Sequence, residues 1–227
     1  MKEIDKHYTK FYKARTSKNV YPTEFVVRTF LASYPKLNIK KPTVGDKVLD
    51  VGFGDGRNTL FLCQQGFDVH GIEITQEIVD QTTERINSFG YNCDLKVGRN
   101  SAIPFEGNTF DYILASHSCY YCDEGETINY NLKEYSRVLK GEGWLIASVV
   151  HTASYIFVNA QKLDDGTMRI TSDPYNNRNG YRLMGFGTTN DIETVFSRYF
   201  CDFSFGHAHN NYYGIDENVY WVVCQKK

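Results

Sequence analysis

A short apolar run, Lys47-Val48-Leu49-Asp50-Val51, passes directly into Gly52-Phe53-Gly54-Asp55-Gly56, and a helical pattern opens at Arg57. Three glycines at one strand-to-helix junction permit positive φ and let a ligand come within contact distance of the backbone. That junction constrains the rest of the chain, because such turns sit at the carboxyl edge of an open parallel sheet. The flanking pattern agrees. Phe67-Ile74 predicts a second strand, and Thr75 caps a helix to Ser88. Strands follow near 94–97 and 111–115, then a helix over 131–139 and a buried-looking strand, Trp144-Val150. Repeated βα units of this kind imply a mostly parallel sheet with helices on both faces.

Upstream, Pro22-Thr23-Glu24 opens a helix to about Tyr34, where Pro35 stops it. Downstream, residues 151–189 are polar, aromatic and glycine-containing, too long for an ordinary connector. Asn190 and Glu193 form a candidate capping box for a helix to about Tyr199, and strands near 202–207 and 218–224 close the chain. At 227 residues we expect one domain, 1–227, with an N-terminal helical cap at 1–40 and an insertion on the substrate side at 151–190.

Glu73 stands at the end of the second strand, twenty-one residues after Gly52. A carboxylate there can accept both ribose hydroxyl protons of a nucleoside ligand. A nicotinamide dinucleotide is a poor match: Arg57 occupies the third glycine position of G-x-G-x-x-G, and Asp55 would repel a pyrophosphate. Asp55 is compatible with a cationic ligand.

The segments VLDVGFGDGRN, GIEIT, VGRNSAIPFEGNTFDYILASHSCYY and LKEYSRVLKGEGWLIAS resemble successive motifs of class I S-adenosylmethionine-dependent methyltransferases, over roughly residues 47–150. The resemblance implies a doubly wound, Rossmann-like α/β fold whose mostly parallel seven-stranded sheet has an antiparallel last strand, here with the insertion after strand five. It implies S-adenosylmethionine as methyl donor and S-adenosylhomocysteine as product. It places Gly52 and Gly54 against the methionine portion, Asp50 at its amino group, Glu73 on the ribose and Ile74 on adenine. Many relatives carry an acid where this chain has Arg99, so Asn100, Ser101 or the backbone would have to accept from the adenine amino group. Ser116 and His117 match positions lining the donor and acceptor sites, and Tyr12 and Tyr21 could form a lid over the donor carboxylate.

Methyl transfer from a sulfonium is an in-line substitution that mainly needs positioning and exclusion of water. An alcohol acceptor would also need a base. His117 and His151 follow core strands and could take a proton near neutral pH. Tyr120 and Tyr121 could wall the acceptor pocket, and Arg178 and Arg182 in the insertion, with Arg169 nearby, suit a phosphate or carboxylate.

The expected acceptor is a small molecule, methylated on oxygen: an anionic metabolite or a sugar or phosphorylated precursor of a surface glycan. With net charge -2 and no long run of Lys and Arg, nucleic acid is a poor default partner. No apolar stretch approaches a membrane span and no signal-like start is present, so a cytoplasmic location is expected, with all six cysteines as free thiols. Cys119-x-x-Cys122 near His117 lacks a fourth ligand, and no metal is expected. The insertion could instead form a homodimer surface. Two alternatives stay open: a noncatalytic S-adenosylmethionine-binding partner subunit, and a nicotinamide-dependent reductase.

Overall fold

The computed structural model describes residues 4–15 and 19–227, so residues 1–3 and 16–18 of the expected N-terminal cap lie outside the described residues. In chain order the elements are α1 (Asp5–Lys13), α2 (Glu24–Leu31), β1 (Lys47–Val51), α3 (Arg57–Gln64), β2 (Asp68–Glu73), α4 (Gln76–Ser88), β3 (Asp94–Val97) and β4 (Phe110–Ala115). Next come β5 (Tyr121–Cys122), α5 (Ile128–Val138), β6 (Leu139–His151), β7 (Gln161–Lys162), β8 (Met168–Arg169), β9 (Arg182–Leu183) and β10 (Gly185–Phe186). Helix α6 (Thr189–Phe196) and the hairpin of β11 (Phe200–Tyr212) and β12 (Ile215–Lys226) complete the chain.

The main sheet runs β11-β12-β6-β4-β1-β2-β3, with the short β10 added beside the end of β6. Pairings β1–β2, β1–β4, β2–β3 and β4–β6 are parallel, and β12 is antiparallel to both neighbours. This is the doubly wound sheet expected from the sequence. Because β2 and β4 flank β1 on opposite sides, strand order reverses at β1, and the crevice for a ligand opens above its carboxyl end.

Strand alternation divides the core between the two faces. Val48 packs with Phe30, Leu60 and Leu62 on one side, while Leu49 and Val51 pack with Ile113, Leu132 and Leu145 on the other. Helix α2 closes part of the first face, with Phe25 stacked flat on Trp221 of β12 at a ring separation of 4.7 Å.

Several elements depart from the sequence pattern. Helix α2 ends at Leu31, four residues before Pro35, because Ala32 is already extended. Helix α5 begins at Ile128, which is buried in the core. The capping box before α6 is built by Thr188 and Asp191, two residues earlier than expected. The Thr188 hydroxyl accepts from the Asp191 amide at 3.2 Å, and the Asp191 carboxylate accepts from the Thr188 amide at 2.8 Å. The 151–190 segment folds around a small antiparallel sheet, β5-β9-β8-β7, which borrows β5 from the connection after β4. Two-residue strands are too short to show a period. Among the described residues no helix is long and apolar enough to cross a membrane.

Candidate functional site

One deep cleft lies above β1, bounded by the glycine turn, the ends of β2 and β4, helix α1, the insertion and β12. Gly52 has φ +69°, and a Cβ there would stand 2.7 Å from the Ser118 Cβ, so only glycine leaves the floor open. The turn is tied down from below: the Gly52 amide donates to the Ile72 carbonyl at 2.9 Å, and the Thr82 hydroxyl donates to the Gly54 carbonyl at 2.7 Å.

Glu73 ties the glycine turn to the end of β2. One carboxylate oxygen accepts from the Gly54 amide at 3.1 Å and the other from the Ile74 amide at 2.7 Å. Each oxygen keeps a further lone pair for a ligand hydroxyl. Burial raises the Glu73 pKa to about 7 against the lowering effect of those two amides. Asp50 is also raised to about 7 by burial, although the Thr59 hydroxyl donates to it at 2.8 Å.

Of the residues expected from sequence, Tyr12, Gly52, Glu73, Ile74, Asn100 and Ser116 line this cleft, as do His117, Tyr121 and Arg178. Gly54 lies just under the surface, covered by the Tyr12 hydroxyl, and Asp50 lies beneath the turn at 1% exposure. The Asn100 side chain is committed to the fold. Its amide donates to the Ser118 and Tyr121 carbonyls at 2.8 and 3.2 Å, and its oxygen accepts from the Tyr135 hydroxyl at 2.9 Å. Ser101 sits in the following turn and does not line the cleft.

Other expectations are corrected. Tyr21 is 77% exposed and borders a separate shallow hollow. Tyr120 is buried at 2% against Val150, Ile156 and Leu183. Arg182 is buried at 4% inside the insertion, where it pairs with Asp165 and donates to the Asp123 carbonyl at 3.0 Å. Arg169 reaches outward to Glu124 at 3.1 Å. His151 does not line the cleft: its Nδ1 accepts from the Ala153 amide at 2.9 Å, and its ring leans on Tyr220.

His117 reaches the cleft, with φ +56° and its amide donating to the Ser148 hydroxyl at 2.6 Å. Its edge meets Trp221 at 5.9 Å. Burial, then the guanidinium groups of Arg57 and Arg178, push its pKa down to about 3. It therefore stays neutral near pH 7 and does not take up a proton there.

Helix α1 supplies two cleft residues, Tyr8 and Phe11, that were not expected beside Tyr12. Tyr8, Phe11 and Tyr12, at helical spacing, face the cleft, and Tyr8 hydrogen-bonds Tyr121 through their hydroxyls. The i, i+3, i+4 aromatic spacing was the available signal. Arg99 explains part of the docking: it pairs with Asp5 of α1 and with Asp123 at 2.8 Å. Arg57, Asn177, Tyr181 and Glu217 also line the cleft. Arg57 was visible as the first helical residue after the glycines, whereas nothing local in the sequence marks Glu217.

Residues 48–143 match a family model described as a methyltransferase domain. Among curated proteins, the chain is 31% identical over 114 residues to a demethylmenaquinone methyltransferase of Bacillus pumilus, covering 48% of this chain and 46% of that protein. The chain thus spans less than half the length of the curated relatives it matches. Among solved structures, a SAM-dependent methyltransferase from Methanosarcina mazei superposes with TM-score 0.65 at 20% identity, over 86% of this chain and 99% of the other. The N-methyltransferase NodS of Bradyrhizobium japonicum, crystallised with S-adenosylhomocysteine, superposes with TM-score 0.61 at 11% identity, over 89% and 84%. At these identities the structural likeness speaks for the fold.

Proposed function

We propose that this chain, whose residues 48–143 match a methyltransferase-domain model, is a class I S-adenosylmethionine-dependent methyltransferase that transfers the methyl group of S-adenosylmethionine to an oxygen of a small anionic acceptor. The observation that carries the donor half is the cradle of Gly52 beside a Glu73 carboxylate that still has one acceptor position on each oxygen. That donor set fits a ribose diol, and the open glycine floor fits the methionine chain. Gly52 would hold the methionine portion, Ile74 would cover the adenine, and Asp50 would act from beneath the turn. When bound, S-adenosylmethionine supplies an electrophilic methyl on a sulfonium.

The chain's own residues set up attack on that methyl. Tyr8, Phe11 and Tyr12 lie across the cleft and exclude water, which keeps the donor and acceptor in near-attack geometry. His117, whose pKa is pushed down to about 3, is a weak base for removing a proton and can orient an acceptor. A carboxylate or phosphate oxygen needs none removed, because it arrives ionised. Arg178 supports that choice. It enters the cleft from the insertion, held by Asp173 at 3.3 Å and by the Tyr121 hydroxyl at 3.2 Å. Anionic metabolites and phosphorylated sugars are therefore the first acceptors to screen. The reading places the enzyme in the cytoplasm, without nucleic acid, and leaves the outer face of the insertion for a homodimer.

Calorimetric titration of S-adenosylmethionine and S-adenosylhomocysteine tests it. The expected result is micromolar binding that falls about 10- to 150-fold in Glu73→Ala, the equivalent of one charge-assisted hydrogen bond. A folded wild-type chain that binds neither nucleoside would sink the proposal.

A further inference from the structure

Buried polar groups in folded proteins nearly always have partners, so a set of unpartnered ones facing a single space is informative. Three polar side chains without partners among the described residues line the cleft, one of them buried. The Ser116 hydroxyl is completely buried, on a residue 8% exposed, and has no hydrogen-bond partner. The side chains of Arg57 and Glu217 are half-buried, line the same cleft, and make no hydrogen bond or ion pair with any described residue. Arg178 adds a fourth group. Its Nε and one terminal nitrogen are held by Tyr121, Asp173 and Asn177, and the other terminal nitrogen has no partner among the described residues.

The arrangement has a polarity. Arg57 and Arg178 are both close enough to lower the pKa values of His117 and Glu217, yet neither forms an ion pair with Glu217. Two guanidinium groups and a carboxylate that face one space without touching leave a gap with donors on one side and an acceptor on the other. A simple anion satisfies only the donors and would lie near an uncompensated carboxylate, which repels it. A ligand carrying both an anionic group and a hydrogen-bond donor satisfies the whole set.

Building on the methyltransferase reading, we propose that the acceptor is bifunctional: a carboxylate or phosphate taken by Arg57 and Arg178, and, a few bonds away, a hydroxyl or ammonium group taken by Glu217. Glu217 is thereby a specificity residue, contributed by β12 from outside the region that matches the family model.

The test is calorimetric titration of the chain saturated with S-adenosylhomocysteine, using matched acids on one skeleton: 3-phenylpropanoate, its 2-hydroxy and its 2-amino derivative, and the equivalent three-carbon set. At least one functionalised acid is expected to bind ten-fold or more tightly than its plain parent. Glu217→Leu should remove that preference while leaving S-adenosylhomocysteine affinity unchanged, which also shows that the variant is folded. Glu217→Gln separates the two chemistries: its amide oxygen still accepts from a hydroxyl, but an ammonium loses its counter-charge, so only the amino-acid preference collapses. Equal binding of plain and functionalised acids, absence of binding by every member, or a preference that survives Glu217→Leu would each overturn the inference. If S-adenosylhomocysteine itself does not bind, the failure belongs to the donor site and the methyltransferase reading.

Discussion

The proposed donor half of the cleft is built from turns at the ends of neighbouring strands β1, β2 and β4, whereas the proposed acceptor half takes Tyr8 from α1, Arg178 from the insertion and Glu217 from β12. The first group lies within the segment 48–143 that matches the family model; Tyr8, Arg178 and Glu217 lie outside it, although Arg57 on the acceptor side comes from within it. The donor half depends on backbone shape: three glycines with positive φ, and a carboxylate oriented by two amides. Such features survive in short sequence spacings. The acceptor half depends on side chains brought together by topology, and its members are separated by most of the chain. One half can therefore stay constant in relatives while the other is rebuilt for a different acceptor.

The largest separation between the halves should come from Gly52→Val. A β-branched residue at φ +69° carries about 1–3 kcal/mol of backbone strain, and its side chain would enter the space above the turn as well as meeting Ser118. Calorimetry should show no measurable S-adenosylmethionine binding. Thermal unfolding, lowered by only a few degrees, would show that the sheet persists. Retained donor affinity would mean that the glycine floor is not the binding surface.

Arg178→Met should act on the other half alone. Loss of one charge-assisted contact worth about 1.5–3 kcal/mol raises the acceptor KM about 10- to 150-fold. Donor Kd should remain within about twofold, because neither Glu73 nor the glycine turn touches Arg178. Parallel losses of donor and acceptor affinity would show that the two halves are not separable.

This division also explains what was legible beforehand. Strand β1, the turn and Glu73 were readable because their chemistry follows from residues adjacent in sequence or spaced by one βα unit. The antiparallel end of the sheet followed from the family resemblance. The acceptor side was read less well. Arg178 and Arg182 looked equivalent as insertion cations, but the pairing of Cys122 with Arg182 across β5 and β9 draws the second into a buried pair with Asp165. Arg178, one turn earlier, is held by Asp173 in a loop that opens to the cleft. Likewise His117 and His151 both follow core strands, yet only His117 turns inward, through a left-handed backbone conformation that spacing does not reveal.

A smaller, graded effect concerns pH. Asp50 and Glu73 titrate near 7 in the folded chain, above their ordinary values of 3.8 and 4.5, because burial disfavours their charged forms. Their contribution to stability is present below about pH 4 and is lost as pH rises through 7. Ribose hydroxyls and the donor's ammonium favour the ionised carboxylates, so donor binding should release protons near neutrality. Affinity should fall up to about tenfold for each group between pH 7 and 6. Calorimetry in two buffers of different ionisation enthalpy measures the released protons directly. A donor affinity independent of pH from 6 to 8 would contradict the raised carboxyl pKa values.

The smallest effects should come from Tyr21→Ala and His151→Ala, two positions that sequence alone placed near the chemistry. Tyr21 is exposed over the neighbouring hollow, and His151 is engaged with Ala153 and Tyr220. Substitutions away from special contacts usually change free energies by no more than about 0.5 kcal/mol, so kcat and both affinities should stay within about 2.5-fold of wild type. His151 is the sharper case, because it shares a stacked surface with His207 and Tyr220 on the outer side of β6 and β12. A tenfold fall in kcat for His151→Ala, with donor and acceptor binding intact, would show that β6 turns its end toward the acceptor during turnover. The acceptor half would then be a moving surface, unlike the donor half, whose turn is held from below by Thr82 and Ile72.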